Sequence, residues 1–521
     1  MSRCPPSLAR AVVTVGGLTM ISRLLGFTRD ILMAAVLGAG PVADAFFIAF
    51  KLPNFFRRLF AEGAFNAAFV PLFSETLKTG GTAAAKRFAE QVLSVLLMVL
   101  LLLTAIVEIA MPAVMLGLAP GFDPEGPRYA LAVTMTRMTF PYLLFISLVS
   151  LHAGVLNGLG RFAAAAATPV LLNLCLIATL LLFATPGEGA GLALAGAVAV
   201  AGMVQLVWLV LACRRAGMAL YLRLPRLTPA VRRLLVLMGP AAIGAGVAQI
   251  NLVIDIVLAS LLPAGSVSFL YYADRLNQLP IGVVGVAIGT ALLPGLSRLL
   301  AGGEEKAAAS MLNRSIEGGL LLALPAAIAL IVIAEPLIVT LFQRGAFLAA
   351  DAGATAGALA AYAAGLPAYI LVKVLTPAYY ARKDTKTPML IAAFSLLVNL
   401  GLNLLLMGPL LHVGLALATA LASWVNSLLL AGVLMRRGMW RPDRRLLLKV
   451  FRIAFSAALM GGVLYALSAF LEPWPDRDLT GRAAALAILV VAGLGVYGLA
   501  AHFSGAVRAG EIRTLFTGRH G

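Results

Sequence analysis

Charged side chains are scarce in this chain of 521 residues. Asp, Glu, Lys and Arg make up 12% of it and hydrophobic residues 61%, whereas about 25% of a soluble globular protein is charged. This shortage excludes an ordinary soluble protein and predicts a polytopic membrane protein. The formal charge of +18 does not indicate a nucleic-acid partner, because most Lys and Arg residues lie in short loops between apolar stretches.

Cysteine and histidine are also rare. The spacing of Cys4, Cys175 and Cys213 fits neither a metal site nor a disulfide framework, and the four histidines are scattered. The sequence contains no Walker-type phosphate loop, so we expect no ATPase. No group of residues indicates bond-breaking chemistry, and we therefore expect a protein that is not an enzyme. The energy for transport must then come from a gradient, the membrane potential or a downstream sink.

What the chain has instead is about fourteen apolar stretches, each of the roughly 20 residues that a membrane span needs. Basic residues gather in the even-numbered loops, while the odd-numbered loops are short or acidic. This alternation predicts that both termini lie in the cytoplasm. The predicted spans are 10–37, 42–75, 87–117, 128–157, 162–184, 190–213, 230–262, 267–299, 307–342, 350–380, 387–409, 412–436, 447–471 and 481–504.

Short motifs recur after a nearly constant interval, which indicates an internal repeat. Asp30-Ile31 recurs as Asp255-Ile256, and Asn173 in Leu-Leu-Asn-Leu recurs as Asn399 in Leu-Val-Asn-Leu, at offsets of 225 and 226. Six spans separate the copies, so both copies insert in the same orientation. We therefore predict an all-α fold of two parallel six-helix lobes, at 1–220 and 221–440, followed by two C-terminal helices and a tail at 441–521.

The first two predicted spans carry more cations than acids. A cation in a bilayer costs roughly 2.5–3.5 kcal/mol, so such residues usually face a cavity or a ligand. Arginine pairs well with phosphate, which makes a phosphate-bearing ligand the natural partner. The alternative is a set of ion pairs that only join helices. The cations are Arg23, Arg29, Lys51, Arg57 and Arg58, and the acids are Asp30, Asp44 and Glu62.

Helical spacing assigns these residues to faces. Arg23 and Asp30 are seven residues apart and share one face of helix 1, while Arg29 points about 120° away. Arg275 on helix 8 is expected to face the same central cavity as Arg57. Asn399 and Asn403 are one turn apart on helix 11 and could hold a small cation with Asp255 of helix 7. From spacing alone, hydrogen bonding between helices is the preferred reading of these asparagines.

Several motifs closely resemble the MurJ (MviN) family of lipid II flippases, within the multidrug/oligosaccharidyl-lipid/polysaccharide exporter superfamily. They are Ser-Arg-Leu-Leu-Gly-Phe-Thr-Arg-Asp at 22–30, Ala-Asp-Ala-Phe-Phe at 43–47, Lys-Leu-Pro-Asn-Phe-Phe-Arg-Arg-Leu-Phe-Ala-Glu-Gly-Ala-Phe at 51–65, Tyr-Ala-Asp-Arg at 272–275 and Tyr-Ala-Arg-Lys-Asp-Thr-Lys-Thr-Pro at 380–388. The resemblance covers essentially the whole chain.

The resemblance implies a function in the bacterial inner membrane. The chain would move undecaprenyl-diphosphate-linked disaccharide-pentapeptide, lipid II, from the inner to the outer leaflet by alternating access, for peptidoglycan synthesis. The last two helices would form a groove for the lipid tail. The partners are lipid II and membrane lipids, with no nucleic acid. The implied substrate-binding residues are Arg23, Arg29, Asp30, Asp44, Arg57 and Arg275.

Some members of the family also hold sodium, and the matching positions here are Asp255, Asn399, Leu415 (through its backbone) and Thr419. Where such sites carry a second carboxylate, this chain has Asn403, which weakens the case for Na⁺ as a coupling ion. No other cofactor is expected.

Other functions compete with this interpretation. A flippase for another lipid-linked glycan would need the same contacts to a diphosphate. A multidrug exporter of the superfamily would favour acids and aromatics for organic cations, against which the arginines argue. A membrane glycosyltransferase would need a large extracytoplasmic loop with catalytic acids, and the odd-numbered loops are too short.

Overall fold

The structure, a computed structural model, describes residues 8–58, 65–183, 185, 187–472 and 478–507, and their side chains except at 8–12, 240–248, 250 and 283–291. The described residues are predominantly helical and include no β-strand. The helices are α1 (Leu8–Leu37), α2 (Pro41–Phe56), α3 (Asn66–Ile109), α4 (Met111–Leu118), α5 (Pro127–Thr139), α6 (Tyr142–Gly158), α7 (Ala163–Ala166), α8 (Thr168–Leu182), α9 (Glu188–Arg215), α10 (Pro229–Ser260), α11 (Ser266–Ala301), α12 (Glu305–Val332), α13 (Ala334–Phe342), α14 (Ala349–Ala364), α15 (Leu366–Tyr380), α16 (Lys386–Arg436), α17 (Arg444–Phe470) and α18 (Leu479–Phe503).

Two of the longest helices contain a break in their backbone. Gly81 within α3 has φ 72°, and Leu411 within α16 has φ 50°. A positive φ ends regular helix geometry, at little cost for glycine and at some strain for leucine. The first break lies between the predicted spans 42–75 and 87–117, and the second between 387–409 and 412–436. Each break therefore separates two of the predicted spans.

Hydropathy and length confirm a polytopic all-α membrane fold. In the described part of the chain, nine helical stretches are long and apolar enough to cross a membrane. Shorter apolar stretches, Asn251–Ser260 and Leu292–Ala301, lie on α10 and α11. The predicted span 42–75 includes residues 59–64, and Glu62 with them, which lie outside the described residues.

The proline inside α2 shows how a span that contains proline stays hydrogen-bonded. Pro53 has no N–H and so leaves the carbonyl of Ala49 without its usual helical donor. Thr139 at the end of α5 donates its hydroxyl to that carbonyl at 2.9 Å. A neighbouring helix thus satisfies the carbonyl that this intramembrane proline frees.

The chain divides into two compact units, Met1–Ser268 with Arg344–Phe347, and Phe269–Gln343 with Leu348–Gly521. In the first unit, α3 and α6 pack closely because glycines of α6 face phenylalanines of α3. A Cβ on Gly154 would lie 2.8 Å from a ring carbon of Phe69, and one on Gly158 would lie 2.6 Å from a ring carbon of Phe73. Such close packing through small residues is typical of membrane helices.

The second unit has a core of aliphatic side chains from α12, α15 and α16 together with the start of α17. Leu312, Leu320, Ile370 and Val374 are buried in it, and the Tyr379 hydroxyl donates to the Leu430 carbonyl at 2.6 Å. The lobe boundaries predicted at 220 and 440 rest on the count of helices and on the repeat, and they remain predictions.

Candidate functional site

Arg29, on α1, is a buried arginine held by two polar partners. Its Nη2 and Nε donate to Asp30 Oδ1 at 2.6 and 3.0 Å, and its Nη1 donates to Asn173 Oδ1 at 3.0 Å. The residues Arg29 and Asp30 are 7% and 3% exposed. Helical spacing assigned Arg29 and Asp30 to different faces of α1, and the arginine side chain is long enough to reach its neighbour all the same.

Asn173, on α8, connects the Arg29 side chain to the backbone of α1, the helix that carries Arg29. Its Nδ2 donates to the Ser22 carbonyl at 3.0 Å, and a Cβ on Gly26 would lie 3.5 Å from that same nitrogen. The amide therefore receives a hydrogen bond from the guanidinium and gives one to the turn of α1 before it. An amide donates and accepts at once, so this one residue fixes both the helix and its cation.

Residue spacing provided no direct signal that Asn173 belongs to the site. It stood out only as the first-lobe member of the repeated Leu-Leu-Asn-Leu motif, whose second copy contains Asn399. Asn173 is 5% exposed. A buried asparagine within an apolar span needs hydrogen-bond partners, but which partners it meets depends on the packing of α8 against α1.

Arg57 and Arg23 lie at different depths of burial in the first unit. Arg57, just after α2, is half-buried, and its Nε donates to Asn54 Oδ1 at 3.1 Å. Asn54 in turn donates to the Phe50 carbonyl at 2.7 Å, so the turn around Pro53 orients the guanidinium. Arg23 on α1 is exposed.

Asp44, near the start of α2, has partners other than the predicted arginines. Its Oδ1 accepts from the Ser268 N–H at 2.9 Å and from the Ser268 hydroxyl at 2.6 Å. Its Oδ2 accepts from the Gly265 N–H at 2.7 Å and from Arg128 Nη2 at 2.5 Å. The carboxylate is completely buried. Asp44 thus satisfies N–H groups at the start of α11, where helix ends lack internal acceptors.

In the second unit, Arg275 lies on α11 beside aromatic side chains. Its guanidinium carbon is 4.6 Å from the centroid of the Tyr271 ring, a cation–π distance. Tyr271 and Tyr272 are buried, and the Tyr272 ring lies 5.3 Å from that of Phe342. Arg275 itself is half-buried. The Tyr271 ring thus lies against the guanidinium.

The second-unit residues matched to a sodium site form a hydrogen-bonded group on α16. Asn403 Nδ2 donates to Asn399 Oδ1 at 2.9 Å, Asn399 Nδ2 donates to Thr419 Oγ1 at 3.3 Å, and Thr419 Oγ1 donates to the Leu415 carbonyl at 3.0 Å. Asn399 Oδ1 and Thr419 Oγ1 thus already accept hydrogen bonds within α16, and sodium binding by this group remains a prediction. The fifth matched residue, Asp255, is half-buried on α10 in the first unit.

The motif at 380–388 forms a corner that starts α16. Asp384 accepts from the Thr387 N–H at 2.9 Å and from its hydroxyl at 2.6 Å, and Arg437 Nη1 donates to it at 2.8 Å. The hydrogen bonds from Thr387, together with Arg437, lower the pKa of Asp384 to about 2. Lys383 at this corner has φ 62°. We read this motif as a helix-starting corner, since its polar groups satisfy one another.

Comparison with known proteins decides the family. The family model described as lipid II flippase MurJ matches residues 33–479. A curated relative from Rhizobium meliloti (strain 1021), "Probable lipid II flippase MurJ", is 47% identical over 513 residues, covering 97% of this chain and 96% of the relative. The chain belongs to the MurJ family. The resemblance drawn from the motifs is therefore confirmed.

Solved structures agree with this membership. The structure "Lipid II flippase MurJ, inward closed conformation" matches with a TM-score of 0.79 and 25% identity, covering 97% of this chain and 100% of that one. A multidrug resistance MATE family transporter of the MOP superfamily matches with a TM-score of 0.64 and 15% identity, covering 82% of this chain and 98% of that one. At that identity the second match shows the shared fold alone.

Membership of the MurJ family does not by itself assign a role to any side chain. The structure brings Arg29 and Asp30 together, adds Asn173 to them, and places Asp44 with Arg128, Gly265 and Ser268. The roles of Arg23, Arg29, Asp30, Asp44, Arg57 and Arg275 in binding a substrate remain predictions.

Proposed function

We propose that this chain is a lipid II flippase of the bacterial inner membrane. It moves undecaprenyl-diphosphate-linked peptidoglycan precursor from the inner to the outer leaflet by alternating access, with both termini in the cytoplasm. Membership of the MurJ family supports the substrate, and the basic even-numbered loops support the orientation. We infer that the chain acts as a transporter without catalysing a reaction.

The observation that carries the proposal is the buried guanidinium of Arg29. A cation inside a span is costly, and here two polar partners compensate for that cost. Asp30 contacts the Nε–Nη2 edge, and Asn173 contacts Nη1. A guanidinium oriented in this way presents its charge and its N–H geometry in a fixed direction, which suits recognition of a phosphate.

We infer that the diphosphate of the substrate competes with Asp30 for this guanidinium. A carboxylate and a phosphate oxygen are the same kind of acceptor for arginine, so the pair can exchange when a diphosphate arrives. In the absence of substrate, Asp30 compensates the charge that would otherwise be unpaired in a low-dielectric surrounding. Binding then changes the partner of Arg29, which gives the binding site a way to sense occupancy.

Arg57 and Arg275 are also proposed to bind the substrate, as the resemblance implies. Asn54 orients the first through Nε, and the Tyr271 ring lies against the second. The lipid tail would stay in the bilayer, so that only the polar head group of the substrate crosses it. The apolar helices α17 and α18 are proposed to hold this tail, as the resemblance implies.

The test is a complementation experiment with a readout on each leaflet. Cells depleted of the native protein receive wild type, Arg29→Ala or Arg29→Lys, and the lipid II exposed on the outer leaflet is labelled. Arg29→Ala should abolish labelling while the protein is present at normal abundance, because neither Asp30 nor Asn173 can replace the cation. Arg314→Ala, at an exposed position on α12, serves as the control and should label like wild type.

Normal growth and labelling with Arg29→Ala would show that this arginine is not needed for flipping. Labelled lipid II at wild-type levels in the depleted cells themselves would overturn the flippase proposal. Accumulation of a different lipid-linked glycan would instead favour a flippase for that glycan. Loss of drug efflux with normal labelling would favour a multidrug exporter.

A further inference from the structure

The segment between α9 and α10, residues 216–228, is an extended strap that the proposed transport cycle does not use. Gly217, with φ 80°, ends α9, and Thr228 caps α10 by accepting from the Val231 N–H. Between them the chain forms no helix. It runs instead along one side of α3, within the first unit.

Side chains of α3 hold this strap at three places. Glu90, which is completely buried, accepts from the Tyr221 N–H at 3.3 Å and from Arg223 Nε at 2.5 Å. Ser94 Oγ accepts from the Arg223 N–H at 2.9 Å, and Thr228 Oγ1 donates to Gln91 Oε1 at 3.1 Å. A buried carboxylate that binds a backbone N–H and a guanidinium together fixes the strap in one position.

The fixed strap turns large apolar side chains away from the protein. Leu222, Leu224 and Leu227 are 64%, 76% and 71% exposed, although their backbone is fastened to α3. A flexible loop next to water could fold over its own leucines. This strap is fixed, so its leucines stay exposed, which is unusual for a loop in water. These side chains need an apolar surrounding that the described residues do not supply.

Basic residues surround the same leucines. Arg214, Arg215, Arg226 and Arg232 are exposed, and within the described residues none of them lies at ion-pair distance from a carboxylate. The other two arginines of this region, Arg223 and Arg233, pair with Glu90 and Glu75. The strap and its flanks contain no acidic residue from 214 to 233.

The helices on either side place the strap at the depth of the lipid head groups. α9 has 28 residues and α10 has 32, or about 42 and 48 Å at 1.5 Å per residue. The hydrocarbon core is roughly 30 Å thick, so the ends of both helices extend into the interfacial region. Alternating leucine and arginine suits this region, since leucine reaches the acyl boundary and arginine reaches phosphate.

We propose that the strap at 216–228, with its flanking arginines, binds anionic phospholipids of the leaflet that it faces. Leu222, Leu224 and Leu227 insert at the acyl boundary, and Arg214, Arg215, Arg226 and Arg232 contact the lipid phosphates and recruit negatively charged head groups. Glu90 is a positioning residue in this arrangement, because it holds the strap with its leucines facing the bilayer. The proposal does not depend on which substrate the protein flips.

Topology signalling by arginines explains only part of these observations. A basic loop is enough to orient neighbouring spans, but it does not need a buried Glu90 to fix it, nor leucines between its arginines. A site for the diphosphate of a substrate would need the arginines to converge, and here they are spread over some twenty positions along the chain.

The experiment measures which lipid lies next to the strap. Leu224→Cys is introduced into the full chain with Cys4, Cys175 and Cys213 replaced by Ala, labelled with a small fluorophore and reconstituted into vesicles of phosphatidylcholine and phosphatidylglycerol. A spin-label quencher on the acyl chain is carried by either lipid at equal mole fraction. We expect phosphatidylglycerol-linked quenching to exceed phosphatidylcholine-linked quenching by about twofold or more, as local enrichment by several arginines implies.

Two triple variants test the source of the preference. Arg215→Gln/Arg226→Gln/Arg232→Gln should bring the quenching ratio toward one, while quenching by phosphatidylcholine persists because the leucines remain. Arg436→Gln/Arg441→Gln/Arg444→Gln removes the same charge from another exposed basic loop and should leave the ratio unchanged. High salt should lower the ratio in the wild type, as expected for exposed charges.

Several outcomes would overturn the proposal. Equal quenching by the two lipids in the wild type would show that the strap does not select anionic lipid. Absence of quenching by either lipid would place Leu224 in water. An equal fall of the ratio in both triple variants would show a general charge effect. Wild-type melting behaviour of each labelled variant shows that the readout reports on folded protein.

Discussion

Replacing Asp44 by Asn should destabilise the first unit, because this carboxylate joins three parts of the chain. It accepts hydrogen bonds from Gly265 and Ser268 at the start of α11, and it pairs with Arg128 near the start of α5. Asparagine keeps one acceptor oxygen and the shape of the side chain. It loses the charge, and it turns an amide N–H toward a group that is itself a donor.

The size of the effect follows mainly from Arg128. Breaking a buried ion pair from one side costs about 3–5 kcal/mol, because the remaining charge stays buried without its partner. The Arg128 side chain is 18% exposed, and its guanidinium carbon lies 3.8 Å from the centroid of the Phe122 ring. Partial access to solvent argues for the lower end of that range, about 3 kcal/mol. In a unit of this size that corresponds to a fall in melting temperature on the order of 6 °C.

The measurement is thermal unfolding of the purified protein in detergent, with a double-mutant cycle. Asp44→Asn/Arg128→Gln should recover part of the lost stability, because the charge that Asp44 compensated is then gone. Asp123→Asn, at an exposed position in the loop before α5, is the matched control and should melt like wild type.

The same variant separates two roles for Asp44. If Asp44 serves only to bind the start of α11, Asp44→Asn should lower the melting temperature. Lipid II binding should then fall only in proportion to the loss of folded protein. A direct contact to substrate, as the resemblance implies, predicts weaker binding at an unchanged melting temperature. If Asp44→Asn melted at the wild-type temperature, the argument from Arg128 and α11 would be refuted.

Two further predictions concern backbone packing and sodium. Gly345→Ala should lower stability strongly, because Gly345 has φ 58° and an added Cβ would lie 2.2 Å from the Ala35 carbonyl oxygen. The control Gly40→Ala should leave the melting temperature unchanged, since no heavy atom lies within 4 Å of an added Cβ there. Equal melting of the two variants would contradict the packing of the Arg344–Phe347 segment on α1. Flipping in reconstituted vesicles should persist when potassium replaces sodium, since Asn403 stands where such sodium sites carry a second carboxylate. A sodium requirement that Asn399→Ala abolishes would show that this interpretation is wrong.

Composition and spacing were enough to predict the class of this protein and the approximate position of its spans. Burial in lipid depends on the apolar content of a stretch, which is readable without knowing its neighbours. The two breaks in α3 and α16 fall between predicted spans for the same reason, since loop residues there interrupt the apolar pattern. The family could also be identified in advance, because its motifs at 22–30 and 51–65 are long and specific.

The partners of the polar residues could not be predicted in the same way. A helical repeat tells which face a residue occupies, but not which helix meets that face or how far a side chain reaches. Arg29 and Asp30 lie on different faces of α1 by helical spacing, yet the long arginine side chain reaches the neighbouring carboxylate. Asn173 joins them from α8, which is 144 positions away in sequence from Arg29.

Sequence alone determined that this chain crosses a membrane many times and carries arginines within its first spans, because both facts depend on residue type and local order. Only tertiary structure decided what those charges contact. In the folded chain Asp44 binds the start of α11, and Arg29 binds Asp30 and Asn173. Glu90 binds a strap that sequence alone showed only as a basic loop. The physical reason is that a buried polar group must find a partner wherever packing supplies one, and packing is a property of the whole fold.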